Sequence, residues 1–172
     1  SGELGSTTIS LLLLALTLCL LGDVLLLSDG DSRFLAGLSA FLLGHLAYAV
    51  LFLHLGLAAL GWAGAAALGM VALLPFAGRI IRSAHRTAGA LGGAVTAYIV
   101  VIAAMAVLGW WTGHVWIGVG VSFFVVSDTI LGWDRFVQEQ GWGRIAVMVT
   151  YFAAQALIVV GVALTAFGFI FK

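Results

Sequence analysis

The chain has 172 residues, 63% of them hydrophobic and 8% charged, with seven Lys and Arg against seven Asp and Glu. A soluble domain carries about a quarter charged residues, so the composition excludes one and leaves no room for a separate soluble domain beside a membrane domain spanning 1–172. Without a basic patch there is no nucleic-acid partner to expect, and the single cysteine, Cys19, excludes an internal disulfide and reads as a packing residue.

The opening SGELGSTT is small and polar and lacks the basic start of a signal peptide. It reads as a loop left by truncation, or as an added remnant, ahead of the first span. A spanning helix needs about 20 mainly apolar residues, and six segments qualify: 8–27, 34–53, 57–76, 88–108, 115–131 and 145–171. The first holds Asp23 inside LCLLGDVLLL. The second carries Phe34, Gly37, Phe41, His45 and Tyr48 at spacings of 3, 4, 4 and 3, which place them on one helix face. The third is expected to close at Pro75 and Gly78, and its Gly61, Ala65 and Gly69 form a small-residue face suited to close helix packing, as do Gly89 and Gly93. The fourth has Tyr98 with Met105 on the same face, the fifth has Ser127 and Asp128 inside FFVVSDTILG, and the sixth has Tyr151 and Gln155 one turn apart. Runs this long without alternation are helices rather than strands. The expected fold is an all-α polytopic transmembrane bundle of six helices.

Arginines occupy one set of loops. Arg33 follows the first span, Arg79, Arg82 and Arg86 the third, and Arg135 and Arg144 the fifth, whereas the second and fourth loops have no Lys or Arg. The positive-inside rule then puts these arginines in the cytoplasm and both chain ends, including Lys172, outside. Trp62, Trp110, Trp111 and Trp116 fall near the outer boundary, Trp133 and Trp142 near the inner one, as in aromatic belts. Asp23 and Asp128 each fall about four residues before the arginine-bearing end of their spans, roughly one turn inside the boundary. The two carboxylates are therefore level, and would meet if the first and fifth helices packed together. Gly22-Asp23-Val24-Leu25-Leu26 also resembles Ser127-Asp128-Thr129-Ile130-Leu131. A parallel internal repeat would give this echo and would put a site at the repeat interface; chance similarity in leucine-rich sequence is the competing explanation.

An ionisable group inside a span costs about 2.5–3.5 kcal/mol on insertion scales and usually marks function. The two aspartates are accordingly the candidate catalytic residues. His45, Tyr48, Tyr98, Ser127, Tyr151 and Gln155 are candidates for positioning substrate or water, each with a bland alternative: hydrogen bonding between helices, or for Ser127 to its own backbone. His54, His85 and His114 have no expected role, Asp29, Asp31, Asp134 and Glu139 read as solvated loop charges, and Arg79, Arg82 and Arg86 set topology and can touch lipid phosphates. No Cys/His cluster has metal-ligand spacing, so no metal is expected, and no phosphate loop or G-x-S-x-G motif occurs. Two carboxyls at one depth can divide acid and base roles or relay protons for transport. Intramembrane aspartyl proteolysis is disfavoured, because Leu20 stands two before Gly22 where that chemistry has a glycine, and Pro75 is followed by Phe76.

The ordered set Gly22-Asp23, then Phe34, Gly37, Phe41, His45 and Tyr48, then Tyr98 and Met105, then Phe124, Ser127 and Asp128, then Tyr151 and Gln155 resembles the YhhN-like family of bacterial and animal membrane proteins. The resemblance covers almost the whole chain. Family members usually have about two more helices, with a Lys-Pro motif, before the first aspartate, and a small residue where this chain has Val121. Characterised members are lysoplasmalogenases. The resemblance thus implies hydrolysis of the vinyl ether bond of lysoplasmalogens to a fatty aldehyde and glycerophosphocholine or glycerophosphoethanolamine. It implies a lysophospholipid substrate among membrane lipids and no cofactor; the expected location is a bacterial inner membrane, and the loop arginines put the site toward the cytoplasm. A proton-coupled transporter of small molecules or lipids and a non-catalytic lysolipid-binding protein remain the alternatives.

Overall fold

The computed structural model describes residues 2–27 and 30–167, without the side chains of residues 2–4, 90 and 167. Asp29, Lys172 and the last residues of the sixth expected span lie outside the described residues. Among the described residues there are six helices: α1 (Gly2–Leu26), α2 (Asp31–Leu55), α3 (Leu60–Thr87), α4 (Ala90–Trp111), α5 (Val115–Phe136) and α6 (Gly143–Phe167). All six are long and apolar enough to cross a bilayer, and among the described residues there is no strand. The protein is an all-α, multi-pass membrane bundle.

Two expected boundaries move. The polar start is helical from Gly2, since extending an existing helix adds one hydrogen bond per residue fixed. In α3, Pro75 does not end the helix, which runs on to Thr87. Proline removes one backbone donor, but Pro75 lies on the exposed face of α3, away from packed neighbours, and spanning helices tolerate the loss through local adjustment. Arg79, Arg82 and Arg86 consequently ride on a helical extension instead of a loop.

Helices α1, α2, α4, α5 and α6 form a ring in that order, closed by a slight contact between α6 and α1, while α3 packs outside it on α4 and α5. The closest pairs are the two hairpins α1/α2 and α5/α6. Glycine makes them close. A Cβ on Gly22 would stand 2.7 Å from the Phe41 ring, and one on Gly120 would stand 2.7 Å from Ile158. Helices α1 and α5 make no backbone contact among the described residues, so the two aspartates do not meet by direct packing of their helices.

The interior is aromatic and tightly filled. Tyr48, Phe52, Phe124, Met105, Ile117 and His45 are fully buried, while Leu13, Leu20, Val100, Val149 and Phe152 point outward. Exposed apolar residues of this kind suit lipid, which is as apolar as they are. The Gly61/Ala65/Gly69 face is also exposed and meets no other helix among the described residues; α3 instead buries Ala63, Ile80 and Ala84. Gly93 likewise faces open space, and Gly89 serves the α3–α4 turn at φ 51°.

The ends bearing the arginines are laced together. Arg135 pairs with Asp31 at 2.8 Å, the Ser83 hydroxyl donates to the Phe136 carbonyl, and Asp134 accepts the Gln140 backbone N–H at 2.5 Å. Asp31 and Asp134 are therefore engaged rather than merely solvated. His85, expected to be idle, packs against Gly92 and lies 3.3 Å from the Thr96 hydroxyl.

Candidate active site

Asp23 follows Gly22, whose missing side chain lets α1 settle against Phe41 of α2. From that position its carboxylate reaches across the ring to α6. The Tyr151 hydroxyl donates to Asp23 Oδ2 at 2.8 Å, Gln155 Nε2 donates to the Tyr151 oxygen at 3.1 Å, and the Tyr48 hydroxyl donates to Gln155 Oε1. All three donors point the same way, toward Asp23. Such a chain polarises cooperatively. It also joins three helices, α2, α6 and α1, through residues that the sequence spacing had put on inward faces.

Asp128 is carried by α5. The Tyr98 hydroxyl of α4 donates to Asp128 Oδ2 at 2.7 Å. His45 Nε2 lies 3.8 Å from the same oxygen, beyond hydrogen-bond reach. His45 is 0% exposed, and among the described residues neither ring nitrogen makes a hydrogen bond of ordinary geometry, although the Phe41 backbone lies near the ring. Leaving a buried polar group unpaired costs about 1–3 kcal/mol, so this imidazole is held by its surroundings. Tyr98 and Phe124 meet it edge-on, with ring centroids at 5.3 and 5.1 Å.

Phe124 is the hinge between the two arms. Besides His45, it touches Tyr151 at 5.6 Å and Tyr48 at 6.0 Å between ring centroids. Ring contacts from Tyr151 through Phe124 to His45 thus connect the partner of Asp23 to the imidazole beside Asp128. His45 of α2 approaches the carboxylate of α5, and Tyr151 of α6 approaches the carboxylate of α1. Each hairpin supplies the aromatic partner for the other hairpin's aspartate, which is the exchange a parallel repeat produces. Because α5 continues to Phe136, Asp128 is about two turns from its helix end, whereas Asp23 is within one turn of the end of α1. The Ser127 hydroxyl donates to the Val147 carbonyl of α6 at 3.2 Å, so it fixes α5 on α6 beside the aspartate.

A cavity of about 210 Å³ opens between α2, α3, α4 and α5. Its wall is apolar, with Leu38, Leu74, Ile99 and Ile102 among the lining residues, and its polar side chains are Asp128, Tyr98 and Thr129. Asp128 lines it, with 14% of the side chain exposed, and Asp23 does not. A groove of about 380 Å³, lined by Arg79, Arg82, Ser83, Arg86 and Val137, lies beyond the cavity toward the ends of α3 and α5. Sequence reasoning missed α3 as a cavity wall and Phe124 as the divider. The adjacency of Thr129 to Asp128 was the available signal for a third polar lining residue. Among the described residues no group of three His, Cys, Asp or Glu could hold a metal ion.

Partly buried carboxylates held by tyrosines inside a bundle of six described helices define a multi-pass membrane protein with an intramembrane polar site. The chain belongs to the YhhN family, whose sequence pattern matches residues 2–162. It is 37% identical to the lysoplasmalogenase TMEM86B of Sus scrofa over 125 residues, 73% of this chain and 52% of that protein. It is 40% identical to the lysoplasmalogenase TMEM86B of Mus musculus over 52 residues, 28% of this chain and 23% of that one. The chain spans about half the length of the pig relative it matches. No solved structure matches.

Proposed function

We propose that this protein is a lysoplasmalogenase-type hydrolase that cleaves the vinyl ether of a single-chain phospholipid. The observation that carries the reading is the apolar cavity of about 210 Å³ with the Asp128–Tyr98 pair in its wall. It combines a place for one alkenyl chain with one proton donor.

The chemistry follows from the functional groups. Tyr98 occupies Asp128 Oδ2, which leaves Oδ1 to carry the transferred proton. Protonated Asp128 delivers that proton to the outer alkene carbon, and the ether oxygen shares the resulting positive charge as an oxocarbenium ion. Water adds to the inner carbon and loses a proton to a carboxylate. The hemiacetal then collapses as its hydroxyl proton is removed and the glycerol oxygen is protonated, giving the aldehyde and the glycerophospho head group. One water is consumed and no proton is gained or lost overall. Asp23, held by the Tyr48–Gln155–Tyr151 chain and outside the cavity lining, adds its negative charge to stabilise the cation from a distance, while Asp128, having given up its proton, draws one back from the water. His45, fully buried 3.8 Å from Asp128 and outside the cavity lining, acts through that carboxylate by positioning it rather than by touching the lipid. Under the positive-inside rule the arginine-bearing end of the cavity faces the cytoplasm.

Purified protein incubated with lysoplasmalogen should release free aldehyde. If none appears, while the lipid binds, the hydrolase reading is wrong. The directional chain leading to Asp23 also favours a second reading, proton relay in a transporter. That reading requires substrate flux in proteoliposomes with the lipid chemically unchanged.

A further inference from the structure

The groove formed by Arg79, Arg82 and Arg86 is not used by the chemistry above, yet it continues the cavity. The cavity wall includes Ala77 and Ile80 of α3 and Gly132 and Phe136 of α5. The groove overlaps it in register, with Arg79 next to Ile80 and Val137 next to Phe136, and runs on along α3 through Arg82, Ser83 and Arg86. Three arginines at spacings of three and four lie on one helix face. Like charges so placed repel, and among the described residues none of the three has a carboxylate partner, in contrast to Arg135 with Asp31. Each is otherwise held in place. Arg79 lies over the Trp133 ring at 5.9 Å, and Arg82 Nε donates to the Gly78 carbonyl at 3.0 Å, leaving its terminal nitrogens free. Ser83 is committed to the Phe136 carbonyl, which ties the two walls of the groove together. Arg86, in the last turn of α3, also answers the negative end of the helix dipole, so Arg79 and Arg82 are the pair left for a ligand.

We propose that Arg79 and Arg82 bind the phosphate of the lysophospholipid whose alkenyl chain occupies the adjoining cavity. The proposal rests on the hydrolase reading for the identity of the lipid. The register fits. Trp133, beneath Arg79, stands five residues beyond Asp128 on α5, an axial step of about 7.5 Å. The outer alkene carbon and the phosphorus of a lysoplasmalogen are separated by a run of short covalent bonds, on the order of 8–9 Å when extended. A phosphate on Arg79 therefore sets the vinyl ether at the level of Asp128. Guanidinium is the group suited to this, since its fork matches phosphate oxygens.

The test compares 1-alkenyl-glycerophosphoethanolamine with 1-alkenylglycerol, which lacks phosphate, in uncharged detergent. The double variant Arg79→Gln/Arg82→Gln should raise KM for the phospholipid about tenfold or more. It should lower the ratio of kcat/KM for phospholipid to that for alkenylglycerol by the same factor. Arg79→Lys/Arg82→Lys keeps the topogenic charge and should recover part of the ratio. A proportional loss on both substrates, or no change on either, overturns the proposal. The alkyl-ether analogue, which has no vinyl bond, is titrated calorimetrically in parallel. It should bind wild type more tightly than the Gln variant even if no aldehyde is ever released, which separates failure of this site from failure of the hydrolase reading. Inorganic phosphate should not displace the analogue at equal concentration; displacement would make the groove a free-anion site and overturn the lipid assignment.

Discussion

His45 is the side chain whose energetics and role pull in opposite directions. It is fully buried with two unpaired nitrogens, a state that destabilises rather than supports a fold. Replacing it by Phe removes both unpaired groups. His45→Phe should hold or raise Tm while reducing aldehyde release at least tenfold; a lower Tm with normal turnover would make it a packing residue. Tyr98 is the opposite case, since its hydroxyl is engaged with Asp128 at 2.7 Å. Tyr98→Phe keeps the ring against His45 and removes only the donor, and a loss of about tenfold in kcat with the fold intact is expected, read by aldehyde release beside a thermal melt. The inward positions His45, Tyr48, Tyr98, Tyr151 and Gln155 were all readable from helical spacing. Their partners were not, because spacing gives the face of a helix and not which helix it meets.

At the scale of elements, the polar chain from Tyr48 to Asp23 crosses three helices. Members of one network do not contribute additively. Tyr151→Phe and Gln155→Leu should each impair turnover, and the double variant should be little worse than the stronger single one. Independent, multiplying losses would show that the chain does not act as a unit. The hairpins give a packing prediction. Gly22→Val forces a branched side chain into the Phe41 ring, where even a Cβ would lie 2.7 Å away, and overpacking of this kind costs about 1–3 kcal/mol. A lowered Tm checks it. Helix boundaries were the least legible feature. Pro75 reads as a stop locally, but a proline on the exposed side of a spanning helix is tolerated, and α3 runs a further three turns to carry Arg79, Arg82 and Arg86. That extension turned what reads as a loop of topological charges into the wall of a groove.

The molecule as a whole is a ring of five helices with a sixth, α3, closing the cavity from outside. Its class was legible because six apolar runs and their arginine asymmetry survive any detail of packing. The ring order was not, because helices joined by short loops constrain only sequential neighbours. The picture of two adjoining aspartates assumed that α1 and α5 touch; α6 stands between them on one side of the ring and α2 and α4 on the other, and Phe124 touches both Tyr151 and His45. Asp128 lines the cavity and Asp23 does not. The central claim is that these separated carboxyls nevertheless serve one hydrolysis, with Asp128 as proton donor. The most direct measurement is aldehyde release from lysoplasmalogen by Asp128→Asn and Asp23→Asn beside wild type, with helicity and Tm recorded for all three. A general acid contributes about 10²–10⁴-fold, so Asp128→Asn should lose at least a hundredfold in kcat with its fold unchanged, and Asp23→Asn should fall as well. Wild-type turnover by a folded Asp128→Asn protein would contradict the account.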